Sequence, residues 1–232
     1  MHQHYYIMMQ PEIFDPFHTP DIKPPLNDEW AAKRDLADAI RQLTATLVTT
    51  TSDAASLRAA AASLRAHNDA LGQATRLAGR RAFEVADGGH GGRGHYGTRR
   101  SLSYELNPLD GKSNPLAAPL VTWIEGQTGH GRVTLGWAYE GPPGAVHGGH
   151  VSALFDHFLG ITQIVTGQPG VTGSLKVRFH LPTPLNTELE LAGRVKQVRG
   201  RHNILTGELR ANGVLTASCE GLFVHQGTRL SS

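Results

Sequence analysis

Only one cysteine, Cys219, occurs among the 232 residues. A disulfide framework and a multi-thiolate zinc site are thereby excluded, and a reducing, cytoplasmic setting is expected. No apolar run approaches the ~18–20 residues that cross a bilayer, so no membrane partner is expected. The opening MHQHYYIMMQPEIFDPF has neither a basic start nor a long apolar stretch, so a secretory signal is not expected either. Charge is scarce: Asp, Glu, Lys and Arg make up 18%, against ~25% in ordinary domains, which argues against a wholly disordered or coiled-coil chain. A net charge of +2 does not demand nucleic acid as a partner.

What is present divides the chain into four zones. Residues 1–27 hold five prolines and several aromatics without a period, and read as an extended arm. Residues 28–86 contain no proline and are rich in Ala, Leu and Arg, which is helix chemistry. Leu36, Ile40, Leu43 and Leu47 recur at helical spacing, and Leu57, Leu64 and Leu71 repeat every seventh residue. Ser52 or Asp53 can cap the second segment, so a helical hairpin is expected, either as an accessory packing element or as a partner-recruiting coiled coil. Residues 87–114 read as a Gly-rich flexible linker. Gly89, Gly91 and Gly94 satisfy G-x-G-x-x-G there, but no βαβ unit surrounds them, so no dinucleotide site is expected.

From 115 to 227 the pattern changes. VTWI and the alternation of Val133, Leu135, Trp137 and Tyr139 predict two strands, VSALFDHFLGITQIV predicts a helix, and four further β-like segments follow. Short turns between consecutive strands imply an antiparallel sheet, against which the single helix must bury itself. Val151, Leu154, Phe155, Phe158, Leu159 and Ile161 cover so much of that helix that it must be wrapped on several sides. Ser152, Asp156 and Gln163 form one narrow polar stripe. A carboxylate there needs either partners or a water-filled site. His147-Gly148-Gly149 stands where the helix begins, and first-turn amides have no intrahelical acceptor. Amide donors at a helix start and a carboxylate on the same helix are equipment for adding water to an acyl carbon.

GPPGAVHGGHVSALFDHFLG followed by VTGSLKVRFHLPTPL resembles the hotdog-fold acyl-CoA thioesterases, in particular their PaaI-type branch. The resemblance covers roughly residues 115–227. It implies an α+β fold in which a curved antiparallel sheet wraps one helix, and hydrolysis of acyl-CoA without a cofactor or metal. By that resemblance the Gly148 amide polarises the thioester carbonyl, and Asp156 is the base or nucleophile. His147 shapes the oxyanion side, and Thr172 falls where a hydroxyl positions the attacking water. Two departures stand out. Gly141 occupies a position where some relatives carry Asn, and Thr172 has the opposite parity from the Leu175, Val177 and Phe179 face.

Eight residues separate Gly148 from Asp156, ~12 Å along a helix, whereas a base must reach its proton within ~3 Å or through one water. Two antiparallel copies of the helix would set Gly148 of one beside Asp156 of the other, so a homodimer or dimer of dimers is expected. Two rival readings are a non-catalytic acyl- or partner-binding hotdog module and an enoyl-thioester hydratase. In the second, Asp156 and His157 would have to act together although they are ~100° apart on the helix. The thirteen histidines invite a metal reading, but His150 and His157 stand two turns apart, too far to share one ion. Cys219 alternates with Ala217 and Gly221 and reads as core. Arg178, Arg194, Lys196, Arg199 and Arg201 are candidates for the phosphates of coenzyme A, with no choice among them.

Overall fold

The computed structural model describes residues 17–86 and 96–226. The expectations for residues 1–16, for Gly89, Gly91 and Gly94, and for residue 227 lie outside the described residues.

Four helices precede the sheet: α1 (Asp28–Leu47), α2 (Ala54–Gly72), α3 (Arg80–Ala86) and α4 (Arg99–Leu106). Then come β1 (Val121–Glu125), β2 (Thr128–Thr134), α5 (Gly148–Thr162), β3 (Val171–Phe179), β4 (Glu188–Arg199), β5 (His202–Ala211) and β6 (Val214–Val224). The six strands form one antiparallel sheet in the order β1-β2-β4-β5-β6-β3. This is the β-β-α-β-β-β-β succession that the alternation predicts.

Glycine determines how closely α5 approaches the sheet. Gly129, Gly193 and Gly207 stand in register on neighbouring strands, in line with Cys219 and Val177. A Cβ on Gly193 would meet the Phe158 ring at 2.7 Å, one on Gly207 would meet the Phe155 ring at 3.2 Å, and one on Gly129 would collide with Thr162. These bare backbones let two aromatic rings of α5 pack directly against the strands. Around them Leu120, Leu135, Leu189, Leu205 and Phe223 close a core with almost no exposed surface.

The far side of α5 is covered as well. Ile161 packs with Phe17 and Tyr104, and Ile124 and Ile164 pack at the margin. Glu105 of α4 is buried and takes a bidentate ion pair from Arg34 of α1, with a further bond from Ser113 Oγ at 2.6 Å. His157 on α5 brings its Nε2 to 2.9 Å from the buried Asp110 Oδ2, a close contact rather than an aligned hydrogen bond. The wrapping that the apolar helix requires is therefore supplied by the sheet on one side and an N-terminal layer on the other.

Three expectations are corrected. The stretch expected to be a flexible linker contains α4, capped by Thr98 Oγ1, and its buried Leu102, Tyr104 and Asp110 anchor it to the body. Composition misled because short polar turns flank the helix. The alternation from Val133 to Tyr139 does not continue as a strand. Pairing with β4 ends at Thr134, opposite Glu188, and Trp137–Tyr139 is one 3₁₀ turn. Finally, α1 and α2 form, with Asn27 and Asp53 as their N-caps, but they do not bury their stripes as a hairpin. Leu36, Ile40, Leu43 and Leu47 of α1 and Leu57, Leu64 and Leu71 of α2 remain exposed.

Gly193→Ala should cost ~1–3 kcal/mol, because the added methyl must displace a ring that is fully packed. A drop of several degrees in calorimetric Tm checks this.

Candidate active site

α5 starts in a way that leaves one donor unused. His147 is its N-cap, with its backbone N–H bonded to Tyr139 O at 2.9 Å. Its Nδ1 accepts from the Gly149 N–H at 3.0 Å, which places the ring proton on Nε2. The next amides, of His150 and Val151, return to His147 O. Among the described residues the Gly148 N–H has no acceptor, and it sits at the positive end of the helix. Phe179 lies over it: a Cβ on Gly148 would come within 3.2 Å of the Phe179 ring. That ring ends β3 half exposed, whereas the alternating pattern groups it with core residues.

Gly141 has a structural reason. A side chain there would meet His147 Cα at 2.6 Å, so the turn leading into α5 closes only around a bare backbone. An Asn in this place would force His147 to move.

The polar stripe separates into three different roles. Ser152 Oγ bonds Gly148 O within the helix. Gln163 is buried and clamps Gly170 through both its amide oxygen and its amide nitrogen, fixing the turn into β3. Asp156 alone is exposed, and Thr172 Oγ1 donates to its Oδ1 at 2.7 Å.

The parity that sets Thr172 apart from Leu175, Val177 and Phe179 is reversed by a β-bulge. Thr172 pairs with Phe223 and Ser174 with Leu222, so Gly173 is the extra residue. This one-residue insertion moves Thr172 to the inner face, beside α5.

Other sequence candidates fall elsewhere. Cys219 is buried, and burial pushes its thiol up to about 11. It is core, not nucleophile. His150 stands against the rings of Tyr139 and His147 and titrates below the usual imidazole range, first because of burial and then because of His147. His157 points into the Asp110 contact, away from Thr172. No group of three or more His, Cys, Asp or Glu among the described residues is arranged to hold a metal. Arg178 and Arg194 line a groove of about 610 Å³ on the outer face of the sheet, together with Lys176, Glu208 and Glu220. That groove contains none of His147, Gly148, Asp156 and Thr172. Lys196 is tied to Glu220.

No family model matches the chain. Among solved structures, a thioesterase superfamily protein is 32% identical, with a TM-score of 0.71, over 87% of this chain and 97% of its own. The chain belongs to the thioesterase superfamily and has its hotdog fold. Because the hotdog region is only about half of the chain, that likeness extends well into the helical N-terminal region. The PaaI protein of the Escherichia coli phenylacetic acid degradation operon is 14% identical over 47% of this chain and 81% of its own, with a TM-score of 0.45. A hypothetical thioesterase from Streptococcus pneumoniae, solved with coenzyme A, is 17% identical over 45% and 87%, with a TM-score of 0.43. No described helix is long and apolar enough to cross a membrane.

Thiol labelling checks the assignment of Cys219. At pH 8 the native protein should react at least ~10-fold more slowly than the unfolded chain, because both burial and the raised pKa remove reactive thiolate.

Proposed function

We propose that the protein is an acyl-CoA thioesterase of the PaaI-type branch, cleaving acyl-CoA with water to the free acid and coenzyme A in a cytoplasmic setting. The observation that carries this reading is the 2.7 Å bond from Thr172 to Asp156, a carboxylate that is open to solvent on a helix whose Val151, Leu154, Phe155, Phe158, Leu159 and Ile161 are buried. With Oδ1 engaged by Thr172, Oδ2 is available to take a proton from water, and the Thr172 oxygen can accept from the same water. Water attacks the thioester carbon as its proton passes to Asp156. The oxyanion is met by the Gly148 N–H, with His147 shaping that side, and collapse of the adduct expels the CoA thiolate. A thioester is an activated acyl group, so this reading requires no Ser-His-Asp triad.

The two halves belong to different copies. Gly148 and Asp156 are ~12 Å apart along α5, and no contact joins them in one chain. The sheet offers a place for the second copy. At one edge, Ile124 N–H of β1 is bonded to Phe17 O at 2.7 Å. At the other, β3 pairs only with β6 among the described residues, and seven of its nine residues are exposed. An uncovered strand next to Thr172 and ending at Phe179 is a template for its own symmetry mate.

A hydratase reading is less well supported, because His157 is committed to Asp110 and leaves Asp156 without an imidazole partner.

Asp156→Asn should lower kcat by at least ~10² while two-copy mass is retained, followed by thiol release from a panel of acyl-CoAs and by light scattering. Unchanged turnover overturns the assignment, and loss of enoyl absorbance without thiol release favours hydration. Thr172→Ala should lower kcat by up to ~10², and Thr172→Ser should restore most of it.

A further inference from the structure

α2 has no buried residue along its whole length, which is an uneconomical state for a 19-residue helix carrying three leucines. Leu57, Leu64 and Leu71 are 39%, 49% and 60% exposed. A lone helix of this length is marginal in water, and most helical stability in proteins comes from burying an apolar face. The leucines recur every seventh residue within α2. With the leucines at d, Ala54 and Ala61 take the a positions, and Asn68 is the one polar a residue of α2. Seams of this kind pack helix against helix, and an isolated Asn at a fixes register in two-stranded coils.

The charges select the partner and its direction. Arg58 and Arg65 occupy e positions and form no ion pair among the described residues. In an antiparallel pairing of two α2 helices, e faces e, and Arg58 of one would oppose Arg65 of the other. In a parallel pairing, g faces the following e, which sets Asp53 against Arg58 of the second copy. Asp53 already receives the Ala55 and Ser56 N–H groups as N-cap, and its carboxylate has capacity for another donor. Two consecutive helices joined by a short turn can pack only antiparallel, so a parallel seam must form between chains.

We propose that α2 pairs in parallel and in register with α2 of a second copy of this chain, as a short zipper. α2 rises ~28 Å, fewer than three heptads, a length suited to a contact that adds to another rather than standing alone. Where two copies are already joined elsewhere, the zipper closes at an effective concentration near millimolar, so a short seam suffices. The proposal does not depend on thioester chemistry.

Full-length Leu64→Cys tests it, with Ser63→Cys on the outer side of the same helix as control. Under mild oxidation, Leu64→Cys should form a covalent dimer on non-reducing gels at least ~10-fold faster than Ser63→Cys. The wild type, with only the buried Cys219, should stay single-chain. Cross-linking of Leu64→Cys no faster than that of Ser63→Cys overturns the zipper, whatever the native mass. Turnover and light-scattering mass of the same variants report separately on the shared active site, so failure of one reading does not imply failure of the other.

Discussion

The contact on which the structure depends is the one between α5 and a line of bare backbone in the sheet. Because Gly129, Gly193 and Gly207 have no Cβ, the Phe155 and Phe158 rings settle directly against the strands. That depth fixes the height of the helix above the sheet, and with it everything carried on the helix. Asp156 meets Thr172 at the start of β3, and the helix N-terminus meets Phe179 at the end of the same strand. A helix held even one methyl farther out would loosen both relationships together.

The second constraint is that α5 has two apolar sides. A half-wrapped helix of this composition would expose Ile161 and its neighbours to water. The N-terminal segment removes that exposure through Phe17 and Tyr104, and it is tied down by Arg34–Glu105 and by the approach of His157 to Asp110. Breaking a buried pair by removing one partner is costly, since the remaining charge is left unpaired in a dry place. Residues 96–114 are therefore structurally part of the hotdog body.

Much of this architecture was legible in the sequence. The succession of strands and helix, the position of the central helix and its circumferential apolarity follow from period-2 and period-3.6 patterns, and Asp156 stands on the polar stripe that the helical period marks out, whereas the order of strands across the sheet does not follow from them. What was hidden depended on tertiary context. The bulge at Gly173 reverses the parity of Thr172, and a period-2 reading cannot count an extra residue. Gln163 looks like a companion of Asp156 on the helical wheel, yet it is spent on the backbone of Gly170. The helix within 99–106 is too short for periodicity to reveal, and its anchor Glu105 has a partner 71 positions away. Phe179 belongs to an apolar alternation that is core at Leu175 and Val177 but opens to solvent at the strand end.

The bond from Ile124 to Phe17 has a consequence for association through the sheet. A sheet with two bare margins can add copies indefinitely and grow into fibres. Here the backbone of Phe17 takes up a donor on the β1 margin, so the two margins are not equivalent templates. Unequal margins work against open-ended stacking of like on like.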